Sequence, residues 1–212
     1  MNRRVRSSIP LRAEEESQYV DGKKVSAEYF LNGELVGRRF WHQNGVLELE
    51  QCYRNGRAYG ASRRWHENGR LMWEGPFRNG LAHGICRQWD KNGNLLGSSR
   101  MKMGTGVDLW WGDCRQRFPT EERSYVKGQR HGFERWWCGK HAIFQELHFH
   151  NGVEHGVLRQ WTSGKLTRGY PRFYVLGKKV TKRGYIAASH GDATLPPYVE
   201  KEDSPRRKPV EI

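Results

Sequence analysis

Residues 60–84 read GASRRWHENGRLMWEGPFRNGLAHG. Asn68-Gly69 and Asn79-Gly80 each mark a tight reversal, because both residue types tolerate the positive φ that hairpin turns demand. The residues between the two turns are enough for one strand of ordinary length. The stretch therefore reads as a hairpin that continues directly into the next, a piece of antiparallel meander.

Outward from it the same unit recurs. Asn-Gly returns at Asn32-Gly33, Asn44-Gly45, Asn55-Gly56, Asn92-Gly93 and Asn151-Gly152. An aromatic residue stands at every twelfth position: Tyr29, Trp41, Tyr53, Trp65, Phe77, Trp89, then Tyr125, Trp137, Phe149, Trp161, Phe173 and Tyr185, with only Met101 and Asp113 out of type. A glycine column (Gly33, Gly56, Gly80, Gly104, Gly128, Gly152, Gly177) advances by 23 to 25 residues. Phase-locked recurrence of this kind is the signature of a repeat architecture. The expected fold is all-β: an elongated single-layer antiparallel β-meander of about six 24-residue hairpin repeats covering Tyr29 to Gly177, with a short C-terminal helix. Residues 105–123 keep Trp110 and Trp111 but lose the Asn-Gly, and read as a degenerate repeat with a distorted or longer loop.

Side chains alternate along a strand. Parity puts Arg63, Trp65, Leu71, Trp73, Gly75 and Phe77 on one apolar face, and Arg64, His66, Arg70, Met72 and Glu74 on the other. A three-residue turn closed by a Gly bulge sets Trp65 opposite Leu71, and likewise Trp41 opposite Leu47 and Trp89 opposite Leu95.

Segments 60–71 and 77–84 resemble the MORN (membrane occupation and recognition nexus) repeat, in the variant form that reads G-x-x-x-x-W/Y-x-x-N-G-x-L followed by Y-x-N-G-x-x-x-G. The resemblance covers roughly residues 29–177. It implies a twisted single-layer sheet used as a scaffold or protein-binding groove. Many bacterial members are labelled antitoxin-like, and large DNA viruses carry expanded sets, so the resemblance is compatible with a bacterial or a viral origin.

The domain organisation expected is an N-terminal extension (1–18), the repeat array (19–180), a C-terminal cap with a short helix (181–199) and a disordered tail (200–212). Tyr174-Val-Leu-Gly-Lys-Lys-Val180 echoes Tyr19-Val-Asp-Gly-Lys-Lys-Val25, so a terminal hairpin is expected at each end, where an array must cover its edges. Thr181 is placed to cap a helix running to about Ser189.

Hydrophobic residues make up only 36% of the chain, which argues against a thick core. Aromatic rings instead supply much of the apolar area. The 37 Lys and Arg against 23 Asp and Glu give a formal charge of +14. That balance serves solubility or an anionic partner such as nucleic acid, acidic protein or anionic lipid. Cys52, Cys86, Cys114 and Cys138 show no C-x-x-C spacing, which speaks against a zinc site or redox pair and for reduced thiols in a cytoplasmic setting, a host cytoplasm if the chain is virus-encoded. No apolar run is long enough for a signal peptide or a membrane span.

Five arginines, Arg39, Arg63, Arg87, Arg135 and Arg159, each precede a repeat tryptophan (Trp41, Trp65, Trp89, Trp137, Trp161) by two residues. Equal parity places each pair on one face. Either the column is a comb for phosphates or carboxylates with rings beside it, or each guanidinium covers a neighbouring ring. A second column, Glu50, Glu74, Glu122 and Glu146, falls on the other parity and reads as a solvated face, and His83, His131 and His155 as turn packing. No nucleophile elbow, phosphate-cradling loop or zinc motif is present, so neither an enzyme nor a cofactor or metal is expected. The function expected is a non-enzymatic repeat scaffold that binds a protein partner through the arginine- and tryptophan-lined face. Nucleic-acid or anionic-lipid binding is the alternative, and homodimerisation a further option.

Overall fold

The structure, a computed structural model, describes residues 7–112 and 118–208. It divides into two compact units at Met103/Gly104. Unit 1 holds β1 (Glu14–Val20), β2 (Lys23–Leu31), β3 (Glu34–Trp41), β4 (Leu47–Arg54), β5 (Arg57–Trp65), β6 (Leu71–Arg78), β7 (Leu81–Ala82), β8 (Gly84–Trp89) and β9 (Leu95–Lys102). Unit 2 holds β10 (Thr105–Trp110), β11 (Glu121–Val126), β12 (Gln129–Gly139), β13 (Ala142–His150), β14 (Val153–Glu154), β15 (Gly156–Thr162), β16 (Lys165–Leu166), β17 (Arg172–Val175), β18 (Lys178–Val180) and the helix α1 (Lys182–Gly191). Within each unit the strands pair antiparallel with their sequence neighbours, as a meander requires.

Two turn types alternate in unit 1. Asn55-Gly56 is a two-residue reversal with both residues at positive φ (50° and 68°), flanked by the Arg54–Arg57 pair. Glu67-Asn68-Gly69 is a three-residue turn closed by His66 N to Arg70 O at 2.9 Å, with Gly69 at φ 78°. The expected register holds: Trp65 pairs with Leu71, Trp41 with Leu47 and Trp89 with Leu95. One step further the count changes. Arg64 pairs with Trp73 and Arg63 with Glu74, so Met72 is an extra residue. Glu48 and Leu96 are extra in the same way. An unpaired residue shifts the alternation by one. The expectation that odd positions share one face therefore fails beyond the turn: Glu74 lies on the face of Arg63, and Trp73 on the face of Arg64.

Side chains tie each turn to the next. His42 Nε2 donates to Trp65 O at 2.9 Å and Asn44 to Glu67 O, and one repeat later His66 donates to Trp89 O and Asn68 to Lys91 O. On the other margin, His83, His131 and His155 each accept through Nδ1 from the backbone N–H of Met103, Asn151 and Leu176. These histidines are turn clamps.

The core is thin. In unit 1 one cluster is Ile9, Ala27, Tyr29 and Cys52, with Val36 and Trp41 against them, and Cys86 and Met101 are buried as well. Burial pushes the Cys52 thiol up to about 11, with Glu50 adding to the rise. Cys86 is buried and Cys138 is an exposed thiol, and Cys114 lies outside the described residues. Unit 2 buries Trp137, Ile143 and Trp161 in one cluster, Leu147, Phe149 and Leu158 in another, and Val157, Phe173, Tyr185 and Leu195 in a third. Its β10–β11 connection is longer than the hairpin turns, and residues 113–117 within it lie outside the described residues. Both terminal hairpins are present, β1–β2 and β17–β18. Thr181 caps α1 by accepting from Gly184 N at 3.1 Å. Residues 200–208 are not the disordered tail expected of them. Glu200–Asp203 forms a 3-10 turn and Ala142 bridges to Arg206, because Asp203 and Arg207 find buried partners of opposite charge on the sheet.

The clamp at His155 is pH-sensitive in sign. The ring is fully buried, and burial holds it below the usual histidine range against the opposing pull of Asp192. A folded value below the unfolded one, near 6.5, means that the unfolded chain binds the extra proton. Stability is then present above that value and is lost as pH falls through it toward the folded value. The urea midpoint should drop between pH 7.5 and 5.5, and drop less in His155→Asn, whose Oδ1 replaces the Nδ1 acceptor. An identical pH dependence in the two proteins would contradict the clamp.

Candidate functional site

The extra residue in each hairpin brings the two charged columns together. Across unit 1 the paired row is Ala27, Arg39, Glu50, Arg63, Glu74, Arg87, Ser98. Directly paired side chains lie on one face about 4.5–5.5 Å apart, so arginine and glutamate alternate as a ladder. Arg39 donates twice to Glu50 Oε2, at 2.8 and 3.0 Å. Arg63 reaches Glu50 Oε1 at 3.4 Å and donates to Glu74 Oε2 at 2.7 Å. Glu50 is only 2% exposed. The expectation of a solvated glutamate face is thus overturned: these carboxylates are the partners of the arginines, and repeated burial of one sign is tolerable only because the other sign flanks it.

The arginines are not simple ring covers either. Arg39 does lie over Tyr29 at 4.9 Å. Its guanidinium nitrogens, however, are spent on Glu50, the Tyr29 hydroxyl and Ser7 Oγ. Ser7 and Ser8 lie over this part of the row, with Ser7 Oγ donating to Glu50 at 2.8 Å and Arg63 donating to Ser8 Oγ at 3.2 Å. Ile9 holds that segment down by filling the space a side chain at Gly37 would take, with Cδ1 only 2.4 Å from where a Cβ would stand. Among the described residues this cover does not extend to Arg87. Arg87 is exposed and, among the described residues, makes no ion pair. Trp65 and Trp89 are half-buried, and a depression of about 530 Å³ opens beside Trp65, Met72 and His66.

Unit 2 repeats the row 72 residues later: Glu122, Arg135, Glu146, Arg159. Arg135 donates to Glu146 at 2.7 Å and to Glu122 at 3.3 Å, and Arg159 reaches Glu146 at 3.4 Å. Here the cover is complete. Arg207 grips Glu146 through two bonds, at 3.0 and 2.8 Å, and Asp203 accepts from Arg159 Nε at 2.9 Å. Trp161 Nε1 donates to Asp203 O at 2.6 Å. Arg159 is 2% exposed, Glu146 1%, and Trp137 and Trp161 4% each. Burial alone would raise the Glu146 carboxyl, but the bonds from Arg207 and Arg135 overcome it and hold the group below the usual range. Glu122, with burial dominant over Arg135, is raised. Beside the ladder lies a cleft of about 370 Å³ lined by Arg135, Lys201, Arg206, Arg207 and Lys208 against Glu146 and Glu202, with Phe133 at its wall.

All ten site residues expected from the sequence thus fall on or beside the two rows, in two sets of unequal exposure. The glutamates, Asp203 and Arg207 were missed as partners. The signal was present: arginine to glutamate steps of 11 residues (39 to 50, 63 to 74, 135 to 146) alternate with glutamate to arginine steps of 13 (50 to 63, 74 to 87, 122 to 135, 146 to 159), which is a pairing across successive strands. Among the described residues no cluster suits a metal ion, and no helix is long and apolar enough to cross a membrane.

Equivalent arginines should differ sharply in cost. Arg159→Ala removes the ion pair to Asp203 and one of the three arginine partners of buried Glu146 and should lower unfolding free energy by about 1.5–3 kcal/mol, whereas Arg87→Ala should stay within about 0.5 kcal/mol. Equal losses in urea denaturation would contradict the contrast in cover. In comparison with known proteins, no family model and no curated sequence matches the chain.

Proposed function

We propose that the chain is a non-enzymatic binding scaffold whose repeat sheet receives a protein partner on the tryptophan- and arginine-bearing face. The observation that carries this reading is the contrast between equivalent positions. Trp137 and Trp161 are buried in one cluster, with Trp161 bonded to the chain's own C-terminal segment, while Trp65 and Trp89 stand half-open. A single sheet has no second layer of its own to cover such rings, and an uncovered aromatic row beside charged rims is the composition of an interface. The resemblance of residues 29–177 to MORN repeats, and the absence of any catalytic motif from the sequence, support the same class.

A second reading, a nucleic-acid or anionic-lipid binder, is favoured by one observation, the five cations around the cleft at Arg135 and Arg207. Its affinity would fall linearly with log salt as counterions are released. The alternation of Glu with Arg along both rows weighs against it, since a polyanion meets a carboxylate at every second step.

The test is affinity capture from the native cell after nuclease treatment, comparing the wild type with Trp65→Ala/Trp89→Ala. A partner that survives nuclease and is retained about tenfold less by the variant, with circular dichroism unchanged, is expected for hot-spot tryptophans. Capture that disappears with nuclease, or that the double variant leaves intact, would contradict the scaffold reading.

A further inference from the structure

We propose that the open end of the unit 1 row, Glu74, Arg87 and Trp89, is a docking site for an extended segment of a partner protein that carries a carboxylate four residues ahead of an arginine. The inference rests on the scaffold reading and supplies the chemistry of its ligand. Its basis is internal duplication. Glu74, Arg87 and Trp89 stand 72 residues before Glu146, Arg159 and Trp161, at equivalent places in the pairing.

In unit 2 the site is filled, and the filling shows what it selects. Asp203 sits on Arg159 at 2.9 Å, Arg207 grips Glu146 with two bonds, and the tryptophan N–H takes the backbone carbonyl of Asp203. The same segment runs against the sheet by main-chain bonds, Ile143 N to Pro205 O and Arg207 N to His141 O, each at 3.0 Å. The strand position of Ile143 corresponds to Leu71 in unit 1, also paired with its repeat tryptophan.

In unit 1 no described residue fills the same groups. Arg87 is exposed without an ion pair among the described residues, and Glu74 takes only Arg63, at 2.7 Å. Among the described residues, the N-terminal cover reaches Arg63 through Ser8 and makes no contact with Arg87. Charge complementarity then defines the occupant. Arg87 calls for a carboxylate, and Glu74 one strand away calls for a guanidinium, which alone can bridge both carboxylate oxygens as Arg207 does. A polyanion satisfies Arg87 and is repelled by Glu74, so a segment with both signs fits better.

The probe is a fluorescein-labelled peptide with the sequence of residues 198–208, YVEKEDSPRRK, titrated by anisotropy into the full chain at fixed salt. Saturable binding should weaken about tenfold in Arg87→Ala. A peptide with Asp203→Asn should weaken similarly and lose no more on Arg87→Ala, because the two changes remove one contact. Peptide variants leave the protein's folding untouched, so a loss there is a loss of recognition. Binding that ignores Arg87, as displacement of the chain's own segment from unit 2 would, overturns the site. An oligothymidylate that competes equally well overturns the ligand class, and a dimer in sedimentation that Arg87→Ala abolishes assigns the site to a second copy instead. If the peptide fails while partner capture still depends on Trp65 and Trp89, the recognition chemistry falls and the scaffold reading stands.

Discussion

One unpaired residue per hairpin decides which side chains meet. Were Met72 paired in an unbroken alternation, Arg63 and Glu74 would stand on opposite faces. Left unpaired, it makes them direct cross-strand neighbours, and the same offset at Glu48 does this for Arg39 and Glu50. The ladder of alternating charge follows from that shift. An isolated buried carboxylate such as Glu50 or Glu146 would cost several kcal/mol. Flanked by arginines on both neighbouring strands, each is neutralised by its position in the repeat.

A ladder on a one-layer sheet still needs to be kept from water, and the chain uses its own ends. Ser7 to Ile9 cover the start of the row in unit 1, anchored by Ile9 in the space left by Gly37. Asp203 and Arg207 cover the row in unit 2, and there the tryptophans become core. Burial of Trp137 and Trp161 is thus a property of the cover and not of the repeat, since the repeat is the same at Trp65 and Trp89. The proposed function rests on the difference: among the described residues, the unit 1 copy leaves open the groups with which unit 2 holds the chain's own C-terminal segment.

The repeat, its turns and its strand partners were legible in the sequence because Asn-Gly turns and aromatic columns are local signals. Trp65 opposite Leu71 follows from turn geometry alone, and Thr181 as helix cap from residue type. The faces were not legible by parity, because parity assumes an unbroken alternation and Met72 breaks it without any special residue type to announce it. The glutamates therefore appeared to face water when they face arginine. The order at residues 200–208 was hidden for another reason. Pro and charge runs look disordered on their own, and only the spacing of Asp203 and Arg207 against a distant Arg159 and Glu146 gives them a place.

The most direct test of the account is a double-mutant cycle on Arg63 and Glu74, each changed to Ala singly and together, with unfolding free energy measured in urea. If the two side chains pair on one face, the cycle should return a coupling within the range of about 0.5–3 kcal/mol seen for residues in contact. Additivity within about 0.3–0.5 kcal/mol would place them on opposite faces, and the ladder, with everything drawn from it, would be wrong.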